Sequence, residues 1–301
     1  MAISTSNLIH TTVQRFLEGQ SLVKDSWREV FVEDKTDDGS LRRASVESVV
    51  MPATWDGDAD LTGSQIVAPD SQGATTLSYQ AYIQTIDIPK YTAKDVPGIT
   101  GMLAQAQGMG VASRYATTAW ALFGNAFSSE TVANGQALCS TAHTTAGGGG
   151  NERSNKVTTA LDRAALDTVR QMAREWVNYS EVIMDLADYD AVLVVPAELE
   201  ATARQILGSS VTSGQMQANQ WAGYPIKLVV SPYLSDANDW FYVLEPKYGA
   251  ALNPLIFWER SAPSFQVITD QDNLKTRLIV DFACVADAGP EPTGIFGAAV
   301  S

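Results

Sequence analysis

The segment ITGMLAQAQGMGVASRYATTAWALFGNAF (99–127) decides the fold, because it predicts one long helix in a chain of shorter elements. Its apolar and small residues recur at three- and four-residue spacing, as on one face of an α-helix. This stripe comprises Met102, Leu103, Ala106, Met109, Gly110, Ser113, Ala116, Thr117, Trp120 and Phe123. Each helical glycine costs about 1 kcal/mol relative to alanine. Gly101, Gly108 and Gly110 therefore indicate that another backbone lies close to this spine helix.

The residues before the spine helix predict an arm followed by a projecting hairpin. Apolar residues between 4 and 33 recur at rough helical spacing, and ASVESVVM (44–51) predicts a strand. The polar stretch 52–76 is longer than ordinary connections, which rarely exceed about 12–15 residues. A strand over 76–89 then returns from it. One face of that strand carries Leu77, Tyr79 and Ile83. We expect such a hairpin to lie on a surface other than its own.

The residues after the spine helix predict a mixed α/β region. A glycine-rich loop (144–155) leads to a helix at LDRAALDTVRQMAREW, for which Thr159 and Asp162 form a variant capping box. The continuous apolar run 191–195 predicts a buried strand, followed by a helix to about residue 207. Further strands are predicted at 226–231, 240–244, 250–258, 264–269 and 275–286. The tail from Ala288 predicts turns at the periphery of the fold.

Composition and charge exclude several classes of function. Charged residues make up 18% of the 301 residues and the net charge is −14, against a typical charged fraction of about 25%. A chain whose surface is largely covered by copies of itself needs fewer charges. No cluster of cations extends beyond Arg42-Arg43, which excludes sequence readout of nucleic acid. We expect neither a signal peptide nor a membrane-spanning helix.

Candidate catalytic and metal-binding residues are few, and each has a plainer explanation. Cys139 and His143 could form a nucleophile and base, but four residues of separation in a loop do not specify that geometry. The acidic run DGDAD (56–60) lacks the spacing of a calcium loop, and GGGG (147–150) lacks a phosphate-binding pattern. The two cysteines and two histidines are too scattered for a zinc site. The sequence therefore predicts no enzyme, no catalytic residue, no metal and no cofactor.

Three stretches together resemble a known family. They are NGQALCSTAHTTAGGGGNERSN (134–155) with the helix after it, VLVVPAELEATARQIL (192–207) and IKLVVSPYLSDANDWFYVLEP (226–246). Their order and spacing over roughly residues 76–285 are similar to the major capsid proteins of tailed bacteriophages, in the Mu-like major head subunit group. Cys139 stands where that group commonly has phenylalanine.

The resemblance implies an α+β Hong Kong 97-type capsid fold in four parts. These are an N-terminal arm (1–43), an extended loop (44–76), a peripheral domain with the spine helix (77–135 and 260–301) and an axial α/β domain (136–259). It also implies self-assembly into hexamers and pentamers of an icosahedral shell around double-stranded DNA. The implied partners are a portal and decoration proteins, and the implied location is a virion assembled in the bacterial cytoplasm.

The resemblance places contacts between subunits on the arm and the extended loop. The residues expected to make them are Phe16, Trp27, Phe31, Trp55, Leu61 and Ile66. The alternative is that these side chains pack inside their own subunit. Two other functions stay open at this point. One is the shell of an encapsulin nanocompartment, which shares the fold, and the other is a small cytosolic hydrolase that uses Cys139 and His143.

Overall fold

In the residues that the computed structural model describes, five α-helices accompany a four-stranded sheet, a five-stranded sheet and a two-stranded hairpin. The structure describes residues 5–35, 40–45, 70–96, 98–132, 135–145, 152–178, 181–208, 224–270 and 275–300. The described helices are α1 (Thr5–Leu22), α2 (Lys90–Asp95), α3 (Ile99–Asn125), α4 (Arg163–Arg174) and α5 (Glu200–Gly208). The described strands are β1 (Val32–Lys35), β2 (Ser40–Ser45), β3 (Asp70–Ser78), β4 (Gln80–Pro89), β5 (Lys156–Val157), β6 (Ala191–Val195), β7 (Ile226–Val230), β8 (Trp240–Leu244), β9 (Leu255–Asp270), β10 (Lys275–Ala288) and β11 (Ile295–Ala298). The mixed α+β class is confirmed.

The first sheet carries the spine helix on one face. Its strand order is β1-β9-β10-β4, with β1 parallel to β9 and the other pairs antiparallel. Leu278, Val280 and Cys284 of β10 are fully buried in the same hydrophobic cluster as residues of α3. Alternate residues of each strand point to opposite faces of a sheet, so the odd-numbered positions 277–281 of β10 lie on the other face. A β-bulge interrupts β10 between Asp281 and Cys284.

Helices α1 and α3 cross at glycines. A Cβ atom on Gly108 would overlap the carbonyl oxygen of Phe16, and one on Gly19 would overlap that of Gln105. The two backbones therefore approach closely because neither helix has a side chain at the crossing. This confirms the expectation for Gly108. Gly110 differs, since a Cβ there would lie 3.7 Å from the side-chain oxygen of Gln84, an ordinary contact.

The predicted apolar stripe of the spine helix is divided in the structure. Ala104, Val111 and Ala119 are buried, whereas Met102 is 67% exposed and Met109 is 42% exposed. The helix contacts α1 on one side and the sheet on another, so the side that carries the two methionines has no described neighbour. These two methionines of the predicted stripe are therefore not part of the subunit's own core.

The second sheet has the strand order β5-β11-β8-β6-β7. Every residue of β6 and β8 is buried, as the apolar runs predict. Strand β7 is parallel to β6, and α5 lies between them in the chain. Helices α4 and α5 contribute Leu166, Val169 and Ile206 to a second hydrophobic cluster on this sheet.

Three expectations from the sequence are corrected here. The C-terminal tail is not merely turns, because β11 is a fully buried strand between β5 and β8. The strands predicted at 250–258 and 264–269 are one continuous strand, β9. Asp162 itself caps α4 by accepting a 2.7 Å hydrogen bond from the backbone of Ala165, which replaces the predicted role of Thr159. The four predicted domain boundaries stay predictions.

Candidate assembly surfaces

The hairpin of β2 and β3 is the first candidate surface for contacts between subunits. The two strands are antiparallel, with Ser40 opposite Ser78 and Leu41 opposite Leu77. They pair with each other and make no extensive contact with another described element. An isolated two-stranded hairpin is marginally stable in water. This hairpin therefore has no extensive supporting surface among the described elements.

The predicted contact residues of the extended loop lie outside the described residues. Trp55, Leu61 and Ile66 fall in the stretch 46–69, between the paired ends of β2 and β3. Their role in contacts between subunits stays a prediction.

The predicted contact residues of the N-terminal arm are covered by their own chain. Phe16 stacks on Phe265 of β9 with ring centroids 4.5 Å apart. Trp27 lies 4.3 Å from the ring of Phe257, and Phe31 makes an edge contact with Trp120. Phe16, Trp27 and Phe31 are each at most 2% exposed. The alternative, packing within their own subunit, therefore describes these three side chains.

The outer face of the first sheet is a second candidate surface, and the sequence interpretation missed it. Ile83 of β4 is 74% exposed and Ile268 of β9 is 46% exposed. The strand register places Ile83, Ile279 and Ile268 on a diagonal across this face. Asp87 beside them accepts hydrogen bonds from Arg277 at 2.6 and 3.0 Å. The result is an apolar diagonal next to an ion pair, on a face that no described element covers.

The signal for this surface was present in the alternation of the returning strand. The inward residues of β4 are Tyr82, Ile86 and Ile88, which pack on the hydrophobic cluster around α3. A strand with apolar residues at both odd and even positions has two apolar faces. Only the position of α3 shows which face the subunit itself buries. The face of the predicted strand that carries Ile83 is therefore the one that the subunit leaves exposed at this residue.

The carboxylate of Asp87 on this face has two cationic partners, which alter its pKa. Lys275 donates a 2.7 Å hydrogen bond to Asp87, in addition to the two from Arg277. The hydrogen bonds from these two cations hold the pKa of Asp87 well below its usual range. The carboxylate is therefore ionised at any pH near neutrality and ties β4 to β10.

Cys139 and His143 do not form a nucleophile and base in this structure. Cys139 is 1% exposed, and burial raises the pKa of its thiol. His143 is fully buried, with Nε2 3.0 Å from Oδ1 of Asn155. A reactive cysteine requires an accessible thiolate, whereas this thiol is covered and protonated. The arrangement supports a structural role for both residues.

Two further site types find no support in the described part of the chain. Within the described ranges, no group of three His, Cys, Asp or Glu side chains is placed to hold a metal ion. Among the same residues, no helix is both long and apolar enough to cross a membrane.

A family model for "phage capsid protein" matches residues 72–298. The chain belongs to the phage capsid protein family. The match runs from β3 to β11 and so includes the spine helix, the second sheet and all strands of the first sheet except β1. This capsid protein is therefore a structural, shell-forming major capsid protein, a component of virions. The Mu-like subgroup stays a prediction, and no curated protein matches the chain.

Solved shell proteins share the fold of the capsid protein at low sequence identity. The mature capsid of bacteriophage PhiM1 matches with a TM-score of 0.55 and 10% identity, over 91% of this chain and 86% of that one. A virus-like particle from Pyrococcus furiosus matches with a TM-score of 0.54 and 10% identity, over 97% of this chain and 99% of that one. An encapsulin complex from Synechococcus elongatus matches with a TM-score of 0.51 and 10% identity, over 92% of this chain and 88% of that one. The fold is thus common to phage capsids and an encapsulin, and the family match favours the phage capsid.

Proposed function

We propose that this capsid protein assembles into hexamers and pentamers of an icosahedral head that encloses double-stranded DNA. The observation that carries the proposal is the projecting hairpin of β2 and β3 in a chain of the phage capsid family. In this proposal the hairpin and the segment that connects its two strands lie over a neighbouring subunit. Burial of apolar side chains there stabilises the contact by roughly 25 cal/mol per Å². In a closed shell each subunit is held by several neighbours at once, so the shell dissociates cooperatively.

The acidity of the chain fits a container better than a DNA-binding protein. A protein with a net charge of −14 repels the phosphate groups of DNA, so the packaged DNA stays in the lumen without binding tightly to the shell. The enclosed DNA would therefore be held without recognition of its sequence. A portal and decoration proteins are the further partners, and assembly takes place in the bacterial cytoplasm. We expect no catalytic activity, no cofactor and no association with membranes.

Deletion of the loop tests the assembly mechanism. We expect removal of residues 54–72 to leave a folded subunit that forms no shells in sedimentation velocity and negative-stain microscopy. A length-preserving variant, W55S/L61S/I66S, removes the apolar side chains alone, and a matched D56N/D58N/D60N variant removes charges from the same stretch. The first should abolish shells and the second should not. Normal shells from the deletion would overturn the role of the loop.

The contents of purified shells separate the phage head from the encapsulin alternative. The encapsulin-like fold match makes this alternative specific enough to test. Shells from infected or induced cells should contain nuclease-protected double-stranded DNA. Shells that contain a single abundant enzyme and no DNA would favour a nanocompartment.

A further inference from the structure

Asn155 joins the C-terminal strand to the loop that precedes β5. The side chain is fully buried. Its Nδ2 donates to the carbonyl oxygens of Leu138 at 2.8 Å and Ile295 at 3.0 Å. Its Oδ1 accepts from the backbone of Ser140 at 2.8 Å and faces Nε2 of His143 at 3.0 Å. One amide therefore connects β11 with residues 138–143.

These contacts assign the tautomer of His143. Because both protons of the Asn155 amide go to carbonyl oxygens, Oδ1 faces His143 as an acceptor and Nε2 of His143 carries the proton. Nδ1 of His143 is buried, and it has no hydrogen-bond partner among the described residues. Protonation of His143 would therefore add a buried charge, and the backbone carbonyl of Leu138, which interacts with the ring, already accepts a hydrogen bond from Asn155.

The charged groups around His143 do not favour a second positive charge. Arg153 pairs with His143 through both backbone hydrogen bonds, at 2.9 and 3.0 Å. Its guanidinium is held by Glu291 at 2.6 Å. Glu181 on the neighbouring segment accepts from Thr145. The other charged side chains on these segments are Glu152, which is exposed, and Lys156, which lies over the ring of Phe127. Both carboxylates near the site already have partners.

Strand β11 also covers the thiol of Cys139. A Cβ atom on Gly297 would lie 2.8 Å from Sγ of Cys139. The backbone of Gly297 donates to the carbonyl of Asn155 at 2.9 Å. Movement of β11 away from this position would therefore expose the thiol to solvent. Cys284, in β10 of the first sheet, is covered by other elements and reports on a different part of the core.

We propose that neutral His143 is an acid-sensitive latch, which holds the C-terminal strand β11 on the second sheet and releases it when the ring is protonated. The proposal goes beyond shell formation and does not depend on it. Burial, with a contribution from Arg153, lowers the pKa of His143 to about 4, although hydrogen bonds with Asn155 and Leu138 act in the opposite direction. Above pH 6.5 the ring is neutral in both the closed and the open form, so the latch is closed. As the pH falls below 6.5, the open form binds a proton that the closed form rejects.

Thiol accessibility in the full chain tests the latch. The variant C284A leaves Cys139 as the reporter, and C139A leaves Cys284 as the internal control. 4,4′-Dithiodipyridine is the reagent, because protonation of its pyridine rings activates its disulfide toward thiolate in mild acid, and each labelling rate is divided by that of the urea-unfolded chain at the same pH. A closed-form pKa of about 4 and an open-form value of about 6.5 predict that the labelling rate of Cys139 rises roughly fiftyfold between pH 7 and pH 4.5. Cys284 should stay protected over this range.

The variant His143→Gln separates the latch from other acid effects. Glutamine can donate to Asn155 but does not titrate, so the pH dependence of Cys139 labelling should disappear. Three results would overturn the proposal: an unchanged midpoint in H143Q, Cys139 that stays protected at pH 4.5, or Cys139 and Cys284 that become reactive at the same pH. If H143Q does not fold, the order of exposure of the two cysteines in the other variants still decides. Hydrogen exchange over residues 290–300 gives a reagent-free check.

Discussion

The side-chain amide of Asn253 donates a 2.7 Å hydrogen bond to the backbone carbonyl of Val30. The same nitrogen donates to the carbonyl of Leu244 at 2.8 Å, and Oδ1 accepts from the backbone of Leu255 at 2.9 Å. Asn253 is fully buried and precedes β9, whereas Leu244 ends β8 and Val30 precedes β1. One side chain therefore connects the two sheets with the N-terminal arm.

Substitution of Asn253 by alanine should destabilise the subunit by about 2–4 kcal/mol, because two buried carbonyls and one N–H lose their partner. Urea denaturation of the unassembled subunit, followed by circular dichroism, measures the change. Asn238→Ala, at an exposed position, is the matched control and should change the free energy of unfolding by less than about 0.5 kcal/mol. Equal effects at the two positions would contradict the role of Asn253.

The glycine crossing predicts opposite effects of two alanine substitutions in the same helix. Gly108→Ala should cost about 2 kcal/mol, since its methyl group would overlap the carbonyl of Phe16 in α1. Gly110→Ala has room for the methyl group and should stabilise by up to about 1 kcal/mol through helix propensity. Thermal and urea denaturation of the two variants provides the comparison. A stabilising Gly108→Ala would show that α1 does not cross α3 at this point.

Gln107 in the spine helix should be replaceable by methionine with a gain in stability. It is fully buried, and neither its nitrogen nor its oxygen has a hydrogen-bond partner among the described residues. A buried polar group without a partner costs about 1–3 kcal/mol, so Gln107→Met should raise the free energy of unfolding by about 1 kcal/mol or more. Gln14→Met, on the exposed side of α1, is the control and should be neutral. A destabilised Gln107→Met would indicate that the amide has a partner in solution.

The ion pairs of Asp87 predict a pH dependence of stability in mild acid. Because the pKa of Asp87 is lowered by Arg277 and Lys275, its contribution is present above the unfolded-state pKa of about 3.9 and is lost as the pH falls below it. Wild type should therefore lose more stability than Asp87→Asn between pH 5 and pH 3. The urea midpoints of both proteins at the two pH values measure this. Equal losses of stability in wild type and Asp87→Asn would show that Asp87 does not contribute to the sensitivity to acid.

The apolar diagonal on the outer sheet face predicts a variant that folds but assembles poorly. Ile83 contributes little to the stability of the single subunit, because most of its side chain is exposed. Ile83→Glu should therefore keep the urea midpoint of wild type while shell yield falls several-fold in sedimentation velocity. Ile83→Val keeps the apolar surface and should assemble normally. Wild-type yields from Ile83→Glu would exclude this face from contacts between subunits.

Much of the framework is predictable from local pattern. The spine helix was expected at 99–127 and occurs at Ile99–Asn125, because 3.6-residue periodicity over so many residues has no competing interpretation. The buried strands Ala191–Val195 and Trp240–Leu244 coincide with continuous apolar runs. A hairpin occurs, but its strands differ from those predicted: β2 pairs with β3, which lies mostly within the polar stretch 52–76. Most of the return strand predicted at 76–89 is β4, which pairs with β10 in the first sheet.

The C-terminal strand could not be predicted in the same way. Ile295–Ala298 is only four residues long and contains a glycine, which weakens strand propensity. It is a strand because β5 and β8 offer open hydrogen-bonding edges on either side and because Asn155 donates a hydrogen bond to the carbonyl oxygen of Ile295. These partners are distant in the sequence, and no local pattern contains them.

The amino-acid sequence by itself therefore determined the periodic elements, the excess of acidic residues and the overlong connection that indicates a projecting hairpin. The tertiary structure decided which apolar residues the subunit keeps for itself. Phe16, Trp27 and Phe31 are buried, whereas Ile83 and Met102 are exposed, although all five have apolar side chains. Hydrophobicity specifies that a side chain favours burial, but its burial depends on which elements pack against it, and that is a property of the assembled fold.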